Sequence, residues 1–226
     1  MKAKRILFFT TLLGLIIYYT FLLHPPWIIP TLAVVFSILG LIFIEFEKNH
    51  ATTRTISLLG FITALTVVSR QIIHGVAVSP VFLFTIITGY LFGSVSGFMV
   101  GAASMLVSNF FVGGQGPWTP FQMIGLGLIG AVASLLPKPE RMRHKIIVLS
   151  FYGLFSSFLY SAVTDIFWWM AFTSKHTLAT YLAISTAGVI FSIARGLGNI
   201  LLFILLGPPI LKVLERFRDR FYVEYL

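Results

Sequence analysis

Three ionisable residues stand inside long apolar runs of this chain: Arg70, Asp165 and Arg195, with His74 at the end of one such run. A charged side chain at the centre of a membrane span costs about 2.5–3.5 kcal/mol on insertion scales, so such groups mark a partner, a pathway or a ligand. The amides Gln71, Asn109, Gln115, Gln122 and Asn199 join them. Together they offer donors, acceptors and one carboxylate, which suits holding a small polar molecule or relaying an ion. Acid–base hydrolysis needs two positioned carboxylates, and Asp165 is the only acid well inside the runs. The chain has no cysteine, which removes disulfides, thiolate nucleophiles and cysteine-ligated metals. Its five histidines, His24, His50, His74, His144 and His176, never pair at helical spacing, so no metal site and no cofactor are expected. No G-x-x-x-x-G-K-[ST], H-E-x-x-H or G-x-S-x-G pattern occurs. The chain is therefore not read as an enzyme, and any ATP hydrolysis must come from other chains.

Composition places these groups in a bilayer. Of 226 residues, 58% are hydrophobic and only 10% charged, against about 25% charged in soluble domains. Mean hydropathy is +0.96. The net charge of +9 is a matter of placement rather than of nucleic-acid binding. All cations except Arg70, Lys175 and Arg195 fall in four clusters: Lys2 to Arg5, Lys48 and Arg54, Lys138 to Lys145, and Lys212 to Arg220. The positive-inside rule puts such clusters on the cytoplasmic side.

A span needs about 20 apolar residues. Spans are expected near 6–23, 28–45, 55–73, 79–92, 96–112, 119–136, 146–170 and 179–207. The first is read as a retained helix, since no small-x-small cleavage site precedes His24-Pro25-Pro26-Trp27. Gly93-Ser94-Val95-Ser96-Gly97 separates the fourth span from the fifth as a turn. Eight spans place all four basic clusters and both termini in the cytoplasm of a cell-membrane protein. The fold class is all-α, a polytopic membrane helix bundle. Residues 1–50 form a two-helix extension, 55–213 a six-helix core and 214–226 a basic cytoplasmic tail.

On this topology Arg70, Gln71, His74, Asn109, Gln122 and Asp165 share one outward level with Trp118, Tyr160, Trp168 and Trp169. Beside them runs Gly113-Gly114-Gln115-Gly116-Pro117-Trp118-Thr119-Pro120-Phe121-Gln122-Met123. Irregular backbone survives at a membrane only at its surface, inside protein or along a cavity. This segment reads as a shaped loop over a cavity, with an ordinary connecting loop as the plainer reading. The tryptophans equally suit a pocket wall and an interfacial belt. Arg70 suits a ligand or snorkelling to the surface. Asp165 and Arg195 are candidates for an ion pair between helices. Arg195 and Asn199, four apart on one face, suit either structure or ligand. Ser57, Gly60 and Ala64 place small side chains on one face of the third span, which permits close approach of another helix, inside the bundle or from a partner.

Gly89-Tyr90-Leu91-Phe92-Gly93, Gly97 to Ala102, Ser108-Asn109-Phe110-Phe111, Gln115 to Met123 and Gly127-Leu128-Ile129-Gly130 resemble the substrate-binding S component of energy-coupling factor (ECF) vitamin transporters. Arg195-Gly196-Leu197-Gly198-Asn199 is similar to a stretch of the last helix in that group. The resemblance covers residues 55 to about 213 and leaves 1–50 without a counterpart. It implies a six-helix subunit that captures a vitamin at its outer face under the 113–120 loop. That subunit docks on a transmembrane coupling subunit driven by two ATPase subunits. Asn109, Gln115, Trp118 and Gln122 are then the foremost substrate-binding residues, followed by Arg70, His74, Asp165 and Asn199. Gly60 and Ala64 stand at the partner-docking position, with glycine where alanine is usual. The tryptophan-bearing loop looks most like members assigned to cobalamin or related corrinoids. Three alternatives differ in class: an ion-coupled secondary transporter using Asp165, an intramembrane lipid-processing enzyme and an assembly subunit that binds no ligand.

Overall fold

The computed structural model describes residues 53–72 and 78–222, together with Ala33, Phe36, Ser37 and Gly40, which are helical. The expected spans 6–23 and 28–45 otherwise lie outside the described residues, as does His74. The described chain is all helix: α1 (Thr53–Ile72), α2 (Pro80–Phe92), α3 (Ser94–Val112), α4 (Thr119–Ala133), α5 (Met142–Phe172), α6 (Leu178–Ala187), α7 (Val189–Leu205) and α8 (Gly207–Tyr222). It is a polytopic membrane helix bundle. Among the described residues α1, α3 and α5 are each long and apolar enough to cross a membrane, and α6 with α7 makes a fourth crossing if counted as one bent span.

A helix apolar on every side must be surrounded by protein or lipid. Helix α2 is surrounded by protein, with every residue from Pro80 to Leu91 buried. At 13 residues it is about 20 Å long, shorter than the roughly 30 Å hydrocarbon core. Its neighbours, rather than lipid, cover its ends, so the short length leaves no backbone exposed to hydrocarbon. The outer helices show the complementary pattern. Helix α1 buries Leu58, Leu59, Ile62, Thr66 and Val67 while Ile56, Phe61, Leu65 and Val68 remain exposed.

The α2–α3 connection is a single residue. Gly93 has φ +94°, a backbone conformation other residues rarely adopt. Its N–H donates to Gly89 O at 3.1 Å and its carbonyl accepts from Gly97 N at 3.0 Å, so both helices are capped through the turn. The two helices fold back on each other, and α4 lies across both. A Cβ on Gly89, Gly97 or Gly130 would collide with backbone: Gly89 and Gly97 with the Gly130 carbonyl, and Gly130 with the Gly97 carbonyl. Further along, a Cβ on Gly101 would meet Leu126 O at 2.6 Å, and one on Gly127 would meet the Phe98 ring at 2.7 Å. Helices α2, α3 and α4 therefore touch backbone to backbone, which is how helices associate in lipid when no hydrophobic force drives them together.

Three differences from the expected spans have physical causes. The last span is not continuous: α6 and α7 meet at a 53° bend. Gly188, which lies between them, has little to hold it straight, since nothing lies within 3.4 Å of its Cβ position. Helix α5 has 31 residues and at about 46 Å is longer than the roughly 30 Å bilayer core, with Arg143, His144 and Lys145 in its first turn. No break separates core from tail at 213, because α8 runs unbroken from Gly207 to Tyr222. It is tied to the base of the bundle by the Lys145–Glu215 ion pair at 2.6 Å and by Leu211, which is fully buried.

The glycine contacts generate a direct test. Gly97→Val is expected to cost more than about 2 kcal/mol, toward or beyond the upper end for overpacked cores, because the opposing atoms are backbone. Gly60→Ala, where nothing lies within 4 Å of the Cβ position, is expected to leave stability unchanged or slightly raised. Thermal unfolding of the purified chain in detergent separates the two.

Candidate functional site

The end of the bundle opposite α8 gathers the polar residues. Arg70, in the last turn of α1, reaches across to α3, where Nη1 donates to Ser108 Oγ and to Asn109 Oδ1 at 2.8 Å. It also approaches Met105 Sδ at 3.4 Å. Asn109 is fully buried and passes the connection on, its Nδ2 donating to Gln122 Oε1 of α4 at 2.8 Å. Three helices are thus joined by one chain of side chains, and Arg70 is engaged in it rather than snorkelling.

The loop after α3 is folded onto this network. Gly113 closes α3 in the left-handed conformation, φ +67°, and Gly114 N donates to Asn109 O at 2.9 Å. Gln115 turns inward: Nε2 donates to Leu106 O at 2.7 Å and Oε1 accepts from Thr119 Oγ1 at 3.0 Å. Trp118 Nε1 donates to Gly114 O at 2.9 Å. The indole lies so close to Gly116 that a Cβ there would meet it at 2.5 Å. The loop is internally bonded and shaped, unlike a plain connector. Its outer surface joins the end of α5, where Trp118 stacks on Trp168 with centroids 6.3 Å apart and meets Phe167 edge-on at 6.0 Å. Trp169 serves elsewhere: its Nε1 donates to Thr180 Oγ1 at 2.9 Å and its ring meets Tyr181, which holds α6 to α5.

A second polar system joins α5 to α7. Gly153, Ser157 and Ser161 recur every four residues on one face of α5, opposite Arg195 and Asn199 on α7. Asn199 Nδ2 donates to Gly153 O at 2.9 Å and to Ser157 Oγ at 3.1 Å. Arg195 Nη1 donates to Ser161 Oγ at 3.3 Å and more weakly to Ser157 O at 3.5 Å. Asn199 is buried and bridges helices, although its Oδ1 accepts nothing. Arg195 makes no ion pair with Asp165. Its guanidinium lies over the Tyr160 ring at 5.1 Å and the Phe82 ring at 5.9 Å, a setting in which aromatic faces offset part of the cost of a buried cation. Asp165 is half-buried, one carboxylate oxygen has no hydrogen-bond partner, and Ser185 at the α6–α7 bend lies nearby.

Tyr160 is where the two systems approach each other. Its ring packs 3.2 Å from the Cβ position of Gly125, one turn along α4 from Gln122. It meets Phe82 edge-on at 5.4 Å and carries Arg195 on its face. The arrangement gathers the Trp118, Phe167, Tyr160 and Phe82 rings and two guanidiniums that have no carboxylate partner among the described residues. Among the described residues no group of three His, Cys, Asp or Glu is placed to hold a metal ion.

Of the residues singled out in the sequence, Arg70, Asn109, Gln115, Trp118 and Gln122 come together at the loop. Asn199 and Asp165 sit apart from them on α7 and α5. Phe82, Phe167 and the serine ladder, which the sequence reading did not single out, pack against these residues, as does Tyr160. The four-residue spacing of Gly153, Ser157 and Ser161, matching that of Arg195 and Asn199, was the available signal.

Comparison with known families adds one finding: the model described as ECF-type riboflavin transporter, S component, matches residues 48–216. Curated proteins and solved structures give no match.

Replacing Asn109 by Leu keeps the volume roughly constant and removes both links of the network, taking from Gln122 its Asn109 partner and leaving Arg70 with Ser108 and Met105. A loss of about 1–3 kcal/mol is expected, the cost of stranding buried polar groups. Asn199→Leu is expected to loosen α7 from α5 by a similar amount without disturbing the loop. Thermal unfolding reports the loss, and Trp118 fluorescence reports whether the loop has moved.

Proposed function

This chain belongs to the ECF-type riboflavin transporter S-component family, and we propose that it captures riboflavin, or a flavin with the same ring system, beneath the 113–118 loop. The family match across the whole described core carries the reading. The corrinoid expectation gives way to it, because the matched family is of the riboflavin type. The local chemistry supports a flat ligand. Trp118, Phe167, Tyr160 and Phe82 supply apolar faces for stacking, while Arg70 and Arg195 supply spare donors to ring carbonyls and nitrogens. Asn109, Gln115 and Gln122 hold the loop and the helix ends in place around the ligand.

Delivery needs chains this sequence does not contain. With no phosphate-binding loop in the sequence, two ATPase subunits and a transmembrane coupling subunit supply the energy. Gly60 and Ala64 form the docking position: both are exposed, and no atom lies within 4 Å of where a Cβ on Gly60 would sit. Arg54, Lys138 and Lys145 lie at the same end as α8, and by the positive-inside rule that end faces the cytoplasm. The loop end then faces outward, both termini are cytoplasmic, and the chain reorients with its cargo once docked.

One observation favours a second reading, in which the chain is an ion-coupled transporter. Asp165 has an unpartnered carboxylate oxygen beside the bend of a broken span, an arrangement that membrane transporters use for coupling ions.

In a thermal-shift panel, riboflavin is expected to stabilise the full chain and cobalamin is not. At a hundred times its dissociation constant a ligand specific for the native state contributes about 2.7 kcal/mol. Trp118→Ala and Arg195→Gln are each expected to weaken riboflavin about tenfold, equivalent to about 1.4 kcal/mol. Gly60→Leu should leave binding intact and abolish uptake in cells carrying the partner subunits. Uptake that persists without the ATPases and is lost in Asp165→Asn would establish the ion-coupled reading instead.

A further inference from the structure

The basic end of the bundle carries an apolar groove that the capture of a vitamin does not use. It lies between α1 and α8, has a volume of about 740 Å³, and is lined by Ser57, Phe61 and Leu65 on one side and Val213 and Phe217 on the other, with Arg54 among the lining residues. That volume falls within the range of small-molecule sites, about 300–1,000 Å³. Its walls, however, are almost wholly apolar, and few polar groups converge in it to orient a polar ligand. In a bilayer, an apolar hollow left empty forfeits the dispersion contacts of its whole lining. The apolar material at hand is the lipid acyl chain.

The charges on α8 define which lipid. Val213, Arg216, Phe217 and Arg220 stand at i, i+3, i+4 and i+7, so one face of the helix carries both groove-lining residues and two cations. Arg216 and Arg220 are exposed and have no acidic partner among the described residues. The two acids of α8 are already engaged: Glu215 pairs with Lys145, and Asp219 pairs with Arg218 at 3.0 Å. Lys212 is exposed and likewise has no acidic partner among the described residues. Basic residues on an amphipathic helix attract anionic headgroups at a membrane surface.

We propose that the α1–α8 groove is a binding site for one anionic phospholipid, with an acyl chain between Phe61 and Phe217 and the headgroup held by Arg216 and Arg220. Gly60 and Ala64 border the same face of α1, so the lipid covers a surface that a partner subunit would otherwise close. The site stands at the opposite end of the bundle from the loop, and the proposal does not depend on the identity of the vitamin.

The full chain, incorporated in nanodiscs of equal phosphatidylglycerol and phosphatidylcholine and released into mild detergent, is examined by native mass spectrometry. One phosphatidylglycerol is expected to be retained at least fivefold over phosphatidylcholine. Arg216→Gln with Arg220→Gln is expected to bring the two lipids to parity. Ser57→Phe, which fills the groove, is expected to remove the retained lipid of either class while the riboflavin thermal shift stays as in the parent chain. A photo-crosslinking residue at position 61 is expected to capture lipid. Equal retention of the two lipids by the parent chain would overturn the proposal. So would a preference unchanged in the double variant, or crosslinks at position 61 that go to residues 1–50 or to a second copy.

Discussion

Where α2, α3 and α4 cross, the carbonyls of Gly97 and Gly130 are packed so closely against the opposing glycines that no side chain fits at Gly89, Gly97 or Gly130. That contact sets the distance at which α3 and α4 share the Asn109–Gln122 hydrogen bond, and α1 is joined to them through Arg70, which reaches Ser108 and Asn109. The loop hangs from this frame through Gln115 and Gly114. In lipid there is little hydrophobic gain in moving helices together, so close backbone packing and interhelical hydrogen bonds must do the joining. Here the two act in series, with glycines setting the distance and amides fixing the register. Because both are short-ranged, a small spreading of α3 from α4 would break the hydrogen bonds and release the loop together.

The ends of the bundle divide the chemistry. One end has amides, two half-buried guanidiniums and stacked aromatic rings, arranged around a central tyrosine. The other has exposed cations, two surface ion pairs and an apolar groove. The first suits recognition of a single polar molecule, and the second suits a lipid surface and large partners. Between them, α5 and α7 are held by a ladder of serines, an arginine and an asparagine. Helix α6, the first half of the same broken span, has no fully buried residue and rests on α5 through Trp169 and Tyr181.

Much of this was legible in the sequence because the bilayer imposes strong rules. The Gly93 turn, the long α5 span and the shaped glycine–tryptophan loop all follow from hydropathy, glycine placement and the intolerance of lipid for bare backbone. The convergence of Arg70, Asn109 and Gln122 followed from their common level on neighbouring helices. Other features were hidden for physical reasons. The bend falls at Gly188, a residue with no close neighbour at its Cβ position, which hydropathy does not record. Phe82 reads as an ordinary apolar residue, Tyr160 was placed only at the level of the polar groups, and the three-dimensional arrangement alone reveals that Arg195 lies over both. Trp168 and Trp169 are adjacent in sequence, yet one joins the loop and the other holds α6, a split that helical geometry produces and composition does not signal. The corrinoid expectation rested on the aromatic content of the loop, which flat and bulky ligands share.

The account stands most directly on where a flavin binds. A structure of the full chain determined with riboflavin is the decisive measurement. The account predicts ring density at the loop end, against Trp118 or Tyr160, with a ring acceptor within hydrogen-bond distance of Arg195 or Arg70. Density confined to the α1–α8 groove, or an ordered loop end with no flavin at saturating concentration, would contradict it.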